Sequence, residues 1–169
     1  VTYVGWGDCQ EFAARLSACG EREYRLPTEA EWQYASRAGA QDEAWYWFEE
    51  DQLAEFAWYR DNAVRADEPY AHVVGQKKAN PWGLYDMAGN ALEWCHDYYE
   101  YWYWNAERKG PTKVDPAGAE PGTYFKEYRV LCGGSFYRTS REILVYPRSR
   151  HRPSYRNFDA GFRVVRLAP

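Results

Sequence analysis

Residues 80–99 read NPWGLYDMAGNALEWCHDYY. Asn80-Pro81 ends a polar stretch, and Gly83 and Gly89-Asn90 are turn residues flanking short apolar pieces. Asn90 and Glu93 stand three apart just after a Gly turn. Ca²⁺ is bound by side-chain oxygens together with loop carbonyls, which makes this pair a candidate hard-metal site. Capping or stabilising the turn is the other role open to it.

Around this stretch the chain is crowded with rings. Its 169 residues include 9 Trp, 16 Tyr and 7 Phe, 19% of the total, yet the mean hydropathy is −0.79. Aliphatic residues are scarce, so rings must build much of the core, and their N–H and O–H groups need partners when buried. A single loop-heavy, hydrogen-bonded domain over residues 1–169 is expected. A chain of this length buries roughly 70% of its unfolded surface. Disorder, collagen, coiled coil and a transmembrane span are excluded by the aromatics, the lack of a Gly-X-Y or heptad period and the lack of an 18-residue apolar run. All nine Trp lie at or before Trp104. Trp32, Trp82 and Trp94 are expected to pack a frame, whereas Tyr and Phe interleaved with Arg fill the C-terminal stretch.

The net charge of −4 hides an asymmetry. From Arg129 onward there are nine Arg against Glu142 and Asp159, so that segment is +7 and the preceding residues are −11. A basic third can meet acidic ligands or nucleic acid. No Lys-rich tract accompanies the Arg, so no nucleic-acid partner is expected, and several of these Arg are expected to be internal struts. The four cysteines, Cys9, Cys19, Cys95 and Cys132, form no C-x-x-C. A disulfide such as Cys95–Cys132 and free thiols both remain open. No basic-plus-apolar leader stands at Val1, and the compartment stays open, cell surface and secretion included.

Residues 8–18 read as a helix capped by Asp8 and stopped by Gly20, with Cys9, Phe12, Ala13 and Leu16 on one stripe. A second helix runs from Glu29 to Arg37, opened by the Thr28-x-x-Glu31 capping box and stopped near Gly39. Residues 105–127 read as a surface loop, Tyr128–Leu131 as a strand into Gly133-Gly134, and Gly161–Arg166 as a closing strand. Three scattered His and no G-x-S-x-G leave little to anchor a catalytic triad, and no Gly-rich phosphate loop occurs.

Several stretches together resemble one family. RLPTEAEWQYASRAG (25–39), the opening NPWGLYDMAGNALEWCHDYY, YRVLCGGSFY (128–137) and GFRVVR (161–166) are similar to motifs of the formylglycine-generating-enzyme-like (sulfatase-modifying-factor) family, in its order and spacing. The resemblance implies an α+β, C-type-lectin-like fold with little regular structure: two helices plus short antiparallel strands, here without the family's N-terminal strands. It also implies structural calcium at Asn90 and Glu93, with Asn62 a looser match. The family's enzymes oxidise a substrate cysteine to formylglycine with copper held by two cysteines just after Gly-Gly-Ser. Residues 136–143 here contain no cysteine. Cu(I) requires soft thiolate ligands, so no copper is expected and catalysis is disfavoured.

A second branch of the resembled family binds ligands without chemistry. It includes the variable proteins of diversity-generating retroelements, whose stretch between Gly-Gly-Ser and Gly-Phe-Arg is rewritten by adenine-directed mutagenesis into NNY codons. Such codons exclude Lys, Gln, Glu, Met and Trp. Among residues 136–160 only Glu142 belongs to that set, where about five would be expected from the whole chain. The resemblance therefore implies a non-catalytic protein that presents residues 136–160 to a protein or surface-glycan ligand. Tyr137, Arg138, Ser140, Arg141, Tyr146, Ser149, His151, Arg152, Tyr155, Asn157, Phe158 and Asp159 are the candidate contacts. Tyr and Arg give large contact area at low ordering cost. Arg156 and Arg163 match frame positions. A relative of the copper oxidases with a departed active site, or a regulatory accessory domain, is the alternative.

Overall fold

The computed structural model describes residues 1–40, 46, 48–101, 116, 118–119, 121, 125–144 and 147–168. Helix α1 spans Trp6–Ala18 and begins two residues before Asp8. Gly5 is its N-cap, and Asp8 acts from the third helical position, its Oδ2 accepting the Gly5 N–H at 2.7 Å. The same carboxylate takes both arms of Arg156, at 2.9 and 2.7 Å, which ties the helix start to the C-terminal segment. Cys9 and Ala13 are buried as the stripe predicts, but Phe12 is half exposed, edge-on to Phe162.

Strand β1 (Tyr24–Arg25) leads into helix α2 (Glu29–Arg37). The capping box closes in both directions: Thr28 Oγ1 accepts the Glu31 N–H at 3.1 Å, and Glu31 accepts the Thr28 N–H at 2.8 Å. Arg25 forks onto the same carboxylate at 2.7 and 2.6 Å. Ala38 ends the helix in the left-handed region, with Gly39 next at φ +91°.

A short helix α3 (Leu53–Phe56) runs into β2 (Ala57–Trp58), which pairs in parallel with β3 (Ala88–Gly89). The backbones approach so closely there that a Cβ on Gly89, whose φ is +70°, would lie 2.2 Å from the Trp58 carbonyl oxygen. Only glycine fits such a turn.

The central sheet has four strands: β4 (Leu92–Tyr98), β5 (Arg129–Cys132), β6 (Arg148–His151) and β7 (Ala160–Gly161), in the order β6-β5-β4-β7. Between β5 and β6 lies a one-turn helix, α4 (Ser140–Leu144). Strand β8 (Val165–Arg166) pairs antiparallel with β1.

The α+β class stands, with four helices among the described residues where two were expected. The strands are not all antiparallel: β4–β7 and β2–β3 are parallel. The chain leaves β6 at one sheet edge and crosses to the opposite edge before β7, so its direction there matches β4. The closing Gly161–Arg166 strand is split into β7 and β8, because Arg163 turns aside to bind Glu93. Most of 105–127 lies outside the described residues, although Ala119 bridges Tyr98.

Alternation along β4 builds two cores. Leu92 and Trp94 join Cys9, Leu26, Leu131 and Ala160, whereas Cys95 joins Trp32, Met87, Val130, Cys132 and Ile143. Two buried indoles find acceptors: Trp32 donates to Glu93 at 2.6 Å and Trp94 to the Val4 carbonyl at 3.0 Å, whereas the buried Trp58 Nε1 has no hydrogen-bond partner among the described residues. Trp82 does not pack the frame as expected; it stands 46% exposed with its ring edge-on to exposed Tyr34. The side chain of Asn80 holds that turn from below, accepting from the Trp82 and Leu84 N–H groups. All four cysteines are free thiols, with Cys9, Cys95 and Cys132 buried.

Candidate functional site

Gly133 and Gly134 both have positive φ and lay the chain under α4; a Cβ on Gly134 would lie 2.6 Å from Ile143 Cγ1. Ser135 and Phe136 follow, both fully buried. Ser135 Oγ donates to Asp159 Oδ2 at 3.0 Å, and the Phe136 N–H donates to the Asn90 carbonyl at 2.9 Å. Tyr137 then turns outward and is 45% exposed.

From Tyr137 a chain of contacts crosses the surface. Phe158 meets its ring edge-on at 5.5 Å and tilts against Phe136 at 5.8 Å. Asn157 accepts the Phe158 N–H and donates its amide to the Tyr155 hydroxyl. Tyr155 stacks on His151 with centroids 3.6 Å apart and planes 8° from parallel. Burial holds the His151 imidazole below its usual range, with nearby Arg138 and Arg150 acting the same way against Asp159. The ring is therefore neutral at pH 7.

Arg138 pairs with Glu142 at 3.1 Å. Glu142 also caps α4, accepting the Thr139 N–H at 2.9 Å while Thr139 Oγ1 accepts its own N–H at 3.3 Å. The Thr139 N–H bond leads in holding this carboxyl below its usual range. Arg141 and Arg152 are exposed, Arg152 with only a 4.0 Å approach to Glu127.

Of the other sequence candidates, Ser140 opens α4 and Ser149 sits mid-strand opposite Leu131, both half buried. Tyr146 lies outside the described residues. Asp159 is not displayed: it is 4% exposed, with Oδ2 accepting from Ser135 and Oδ1 buried without a hydrogen-bond partner among the described residues, a support beneath the face. One contributor has no signal in the sequence. Arg60, 77 positions from Tyr137, donates Nε to the Tyr137 carbonyl at 3.2 Å and its backbone N–H to the Arg138 carbonyl at 2.9 Å.

The sulfatase-modifying factor enzyme 1-like domain matches residues 1–168. The chain belongs to that family. It is 32% identical over 178 residues to a formylglycine-generating enzyme of Streptomyces coelicolor, covering 98% of this chain and 52% of that one. It is 35% identical over 142 residues to the serine/threonine-protein kinase pkn1 of Chlamydia pneumoniae, covering 84% and 21%. The chain thus spans about half or less of these curated relatives. Among solved structures, Treponema denticola variable protein 1 superposes with a TM-score of 0.75 at 28% identity, over 97% of this chain and 69% of that one. The frame is the C-type-lectin-like fold of the sulfatase-modifying-factor family.

The family's metals can be tested against these side chains. Copper needs accessible thiolates. Cys95 and Cys132 are wholly buried, and burial pushes both thiols up, so they stay protonated and do not fit that role. Calcium would need the oxygens of Asn90 and Glu93. Asn90 Oδ1 accepts the His72 N–H at 2.8 Å and its amide donates to the His72 carbonyl at 3.2 Å. Glu93 Oε2 accepts from Trp32 at 2.6 Å and from Arg163 Nε at 2.5 Å, and Oε1 accepts from Arg163 Nη2 at 2.8 Å. Both carboxylate oxygens are taken by a guanidinium that would repel a cation, so the pair as arranged does not fit Ca²⁺. The two residues line a cavity of about 420 Å³ together with His72, Asp86 and Arg163. Asn62 is likewise occupied, accepting the Tyr59 N–H at 2.8 Å and donating to the Ala57 carbonyl at 2.9 Å. Among the described residues no group of three or more His, Cys, Asp or Glu is placed to hold a metal, and no helix is long and apolar enough to cross a membrane.

Proposed function

We propose that this protein is a non-catalytic binding protein that captures a protein ligand on the face running from Tyr137 through Phe158, Asn157 and Tyr155 to His151, in the manner of a retroelement-diversified variable protein. The observation that carries it is the division of labour within residues 136–160. The backbone is fixed at both ends, by the Phe136 bond to Asn90 and by β7 in the sheet, while the side chains between supply rings and guanidinium groups to the surface. Glu142, the one residue there that NNY codons cannot encode, is the capping residue of α4 and so belongs to the frame. The likeness to the Treponema variable protein supports the same assignment. Protonated, buried thiols argue against the copper oxidase alternative.

The test is to pan a random dodecapeptide library on the immobilised full chain. Captured peptides are expected to lose binding to Tyr137→Ala and Phe158→Ala, while the folding free energy changes by no more than about 1 kcal/mol for the exposed tyrosine. Peptides that bind both variants as well as the parent would overturn the assignment. So would copper-dependent oxygen uptake with a cysteine-containing peptide.

A further inference from the structure

Seven guanidinium groups among the described residues pair closely with a carboxylate: Arg15 with Glu11, Arg25 with Glu31, Arg65 with Asp61, Arg138 with Glu142, Arg148 with Glu29, Arg156 with Asp8 and Arg163 with Glu93. Arg60 is not one of them. Among the described residues it has no carboxylate partner, and neither does Arg141. The acids close in sequence are already engaged, Asp61 by Arg65 at 2.7 Å and Glu142 by Arg138 and Thr139, and Asp159 is buried with its Oδ2 on Ser135. Arg60 is nevertheless held in place. Its Nε–H is fixed on the Tyr137 carbonyl, its guanidinium carbon lies 5.6 Å from the centre of the Tyr137 ring, and its backbone N–H is fixed on Arg138. One edge of the guanidinium is therefore spent on orientation. The edge formed by the two terminal nitrogens keeps its donors for a planar anion, with little ordering left to do on binding.

We propose that Arg60 is a ligand-reading residue of the Tyr137 face and that the ligand is a peptide segment with a carboxylate beside an aromatic or aliphatic side chain. This rests on the binding assignment above and names the ligand class for it. The rings favour a peptide over a sugar. A pyranose needs an open ring face, whereas Tyr137 has the Arg60 guanidinium over its ring and Phe158 against its edge. What remains is a notch between an oriented cation and exposed ring edges, which suits a carboxylate and a neighbouring apolar group.

The peptides captured from the random library supply the test. They are expected to be enriched in Asp or Glu next to an apolar residue. Their affinity should fall about tenfold in Arg60→Ala, the usual loss for one charged hydrogen-bonded contact. Arg60→Lys should recover only part, since an ammonium has no fork. Replacing the peptide's carboxylate by its amide should cost as much as Arg60→Ala and nothing further in that variant, a coupling that a merely structural role of Arg60 would not produce. Arg166→Ala, an exposed cation on β8, should leave affinity within about twofold.

Peptides that need Tyr137 but show no acidic enrichment and bind Arg60→Ala as well as the parent would overturn this inference while leaving the binding assignment intact. A library with no Tyr137-dependent peptide would overturn the binding assignment and, with it, this one. Arg60-dependent binding of a heparin dodecasaccharide in place of any acidic peptide would overturn the choice of a peptide.

Discussion

Of the places where this molecule sets an arginine beside an aromatic ring, two are built oppositely. At Glu93 the guanidinium of Arg163 is partly buried, forked onto the carboxylate, and the same carboxylate accepts the Trp32 indole. At Tyr137 the guanidinium of Arg60 is half buried, held by a backbone carbonyl, and faces no acid among the described residues. The first arrangement satisfies every group it buries and leaves nothing for a ligand. The second leaves donors and ring edges free and depends on the frame for its shape. Arg and aromatic content alone does not separate display from structure, since Arg129 is buried between Trp6 and Tyr98 with no carboxylate partner among the described residues; what separates these two sites is whether the guanidinium keeps exposed donors.

The largest effect expected from breaking this contrast is at Glu93. Glu93→Ala strands the Arg163 guanidinium and the Trp32 N–H together, and removal of one partner of a buried pair costs about 3–5 kcal/mol. Chemical denaturation should report that loss, and the double variant Glu93→Met with Arg163→Met should be less destabilised than Glu93→Ala. A double variant no better than the single would mean that the pair is not the frame's closing contact.

Asp97 sharpens the contrast, because it is a frame carboxylate without a guanidinium of its own. It is 3% exposed, and Arg148, whose charge acts on it, is paired with Glu29. Burial raises its pKa to about 7, and the Glu29 charge adds to that against the bond from the Glu29 N–H. The folded protein therefore holds this proton where the unfolded chain, with a pKa near 3.8, has released it. Stability from this group is full below about pH 4, falls as pH rises towards 7 and is level above that. Its size is on the order of 4 kcal/mol at most. Asp97→Asn keeps an acceptor for the Glu29 N–H and should flatten that stretch of the stability profile in urea titrations from pH 4 to 8.

Much of the frame was legible because its signals are local. Thr28-x-x-Glu31 predicts the start of α2 to the residue, and the Arg129–Cys132 strand lies within one residue of its expected place. Thr139-x-x-Glu142 carries the same pattern and marks α4, although the Arg- and Tyr-rich surroundings hide it. What was not legible depends on contacts distant in sequence. Asp159 belongs to the surface stretch by composition, but Ser135, 24 residues earlier, draws it inside. Arg60 sits in an unremarkable polar loop and reaches the site only because the fold returns residues 59–62 to Tyr137. No period or spacing encodes such an encounter.

Asn90 and Glu93 illustrate the same limit and set the smallest expected effect. Their types and spacing suit calcium, yet both side chains are closed off by partners that come from elsewhere: His72, Trp32 and Arg163. A cation could enter only by displacing the guanidinium, which would replace one compensated charge with another and expose the Trp32 N–H. Millimolar Ca²⁺ or EDTA should therefore move the thermal midpoint by no more than about a degree, since a ligand stabilises only in proportion to its occupancy of the native state. A rise of several degrees with Ca²⁺ that disappears in Arg163→Met would show that the guanidinium yields to the metal. It would also move Glu93 from the closed half of the comparison to the open one.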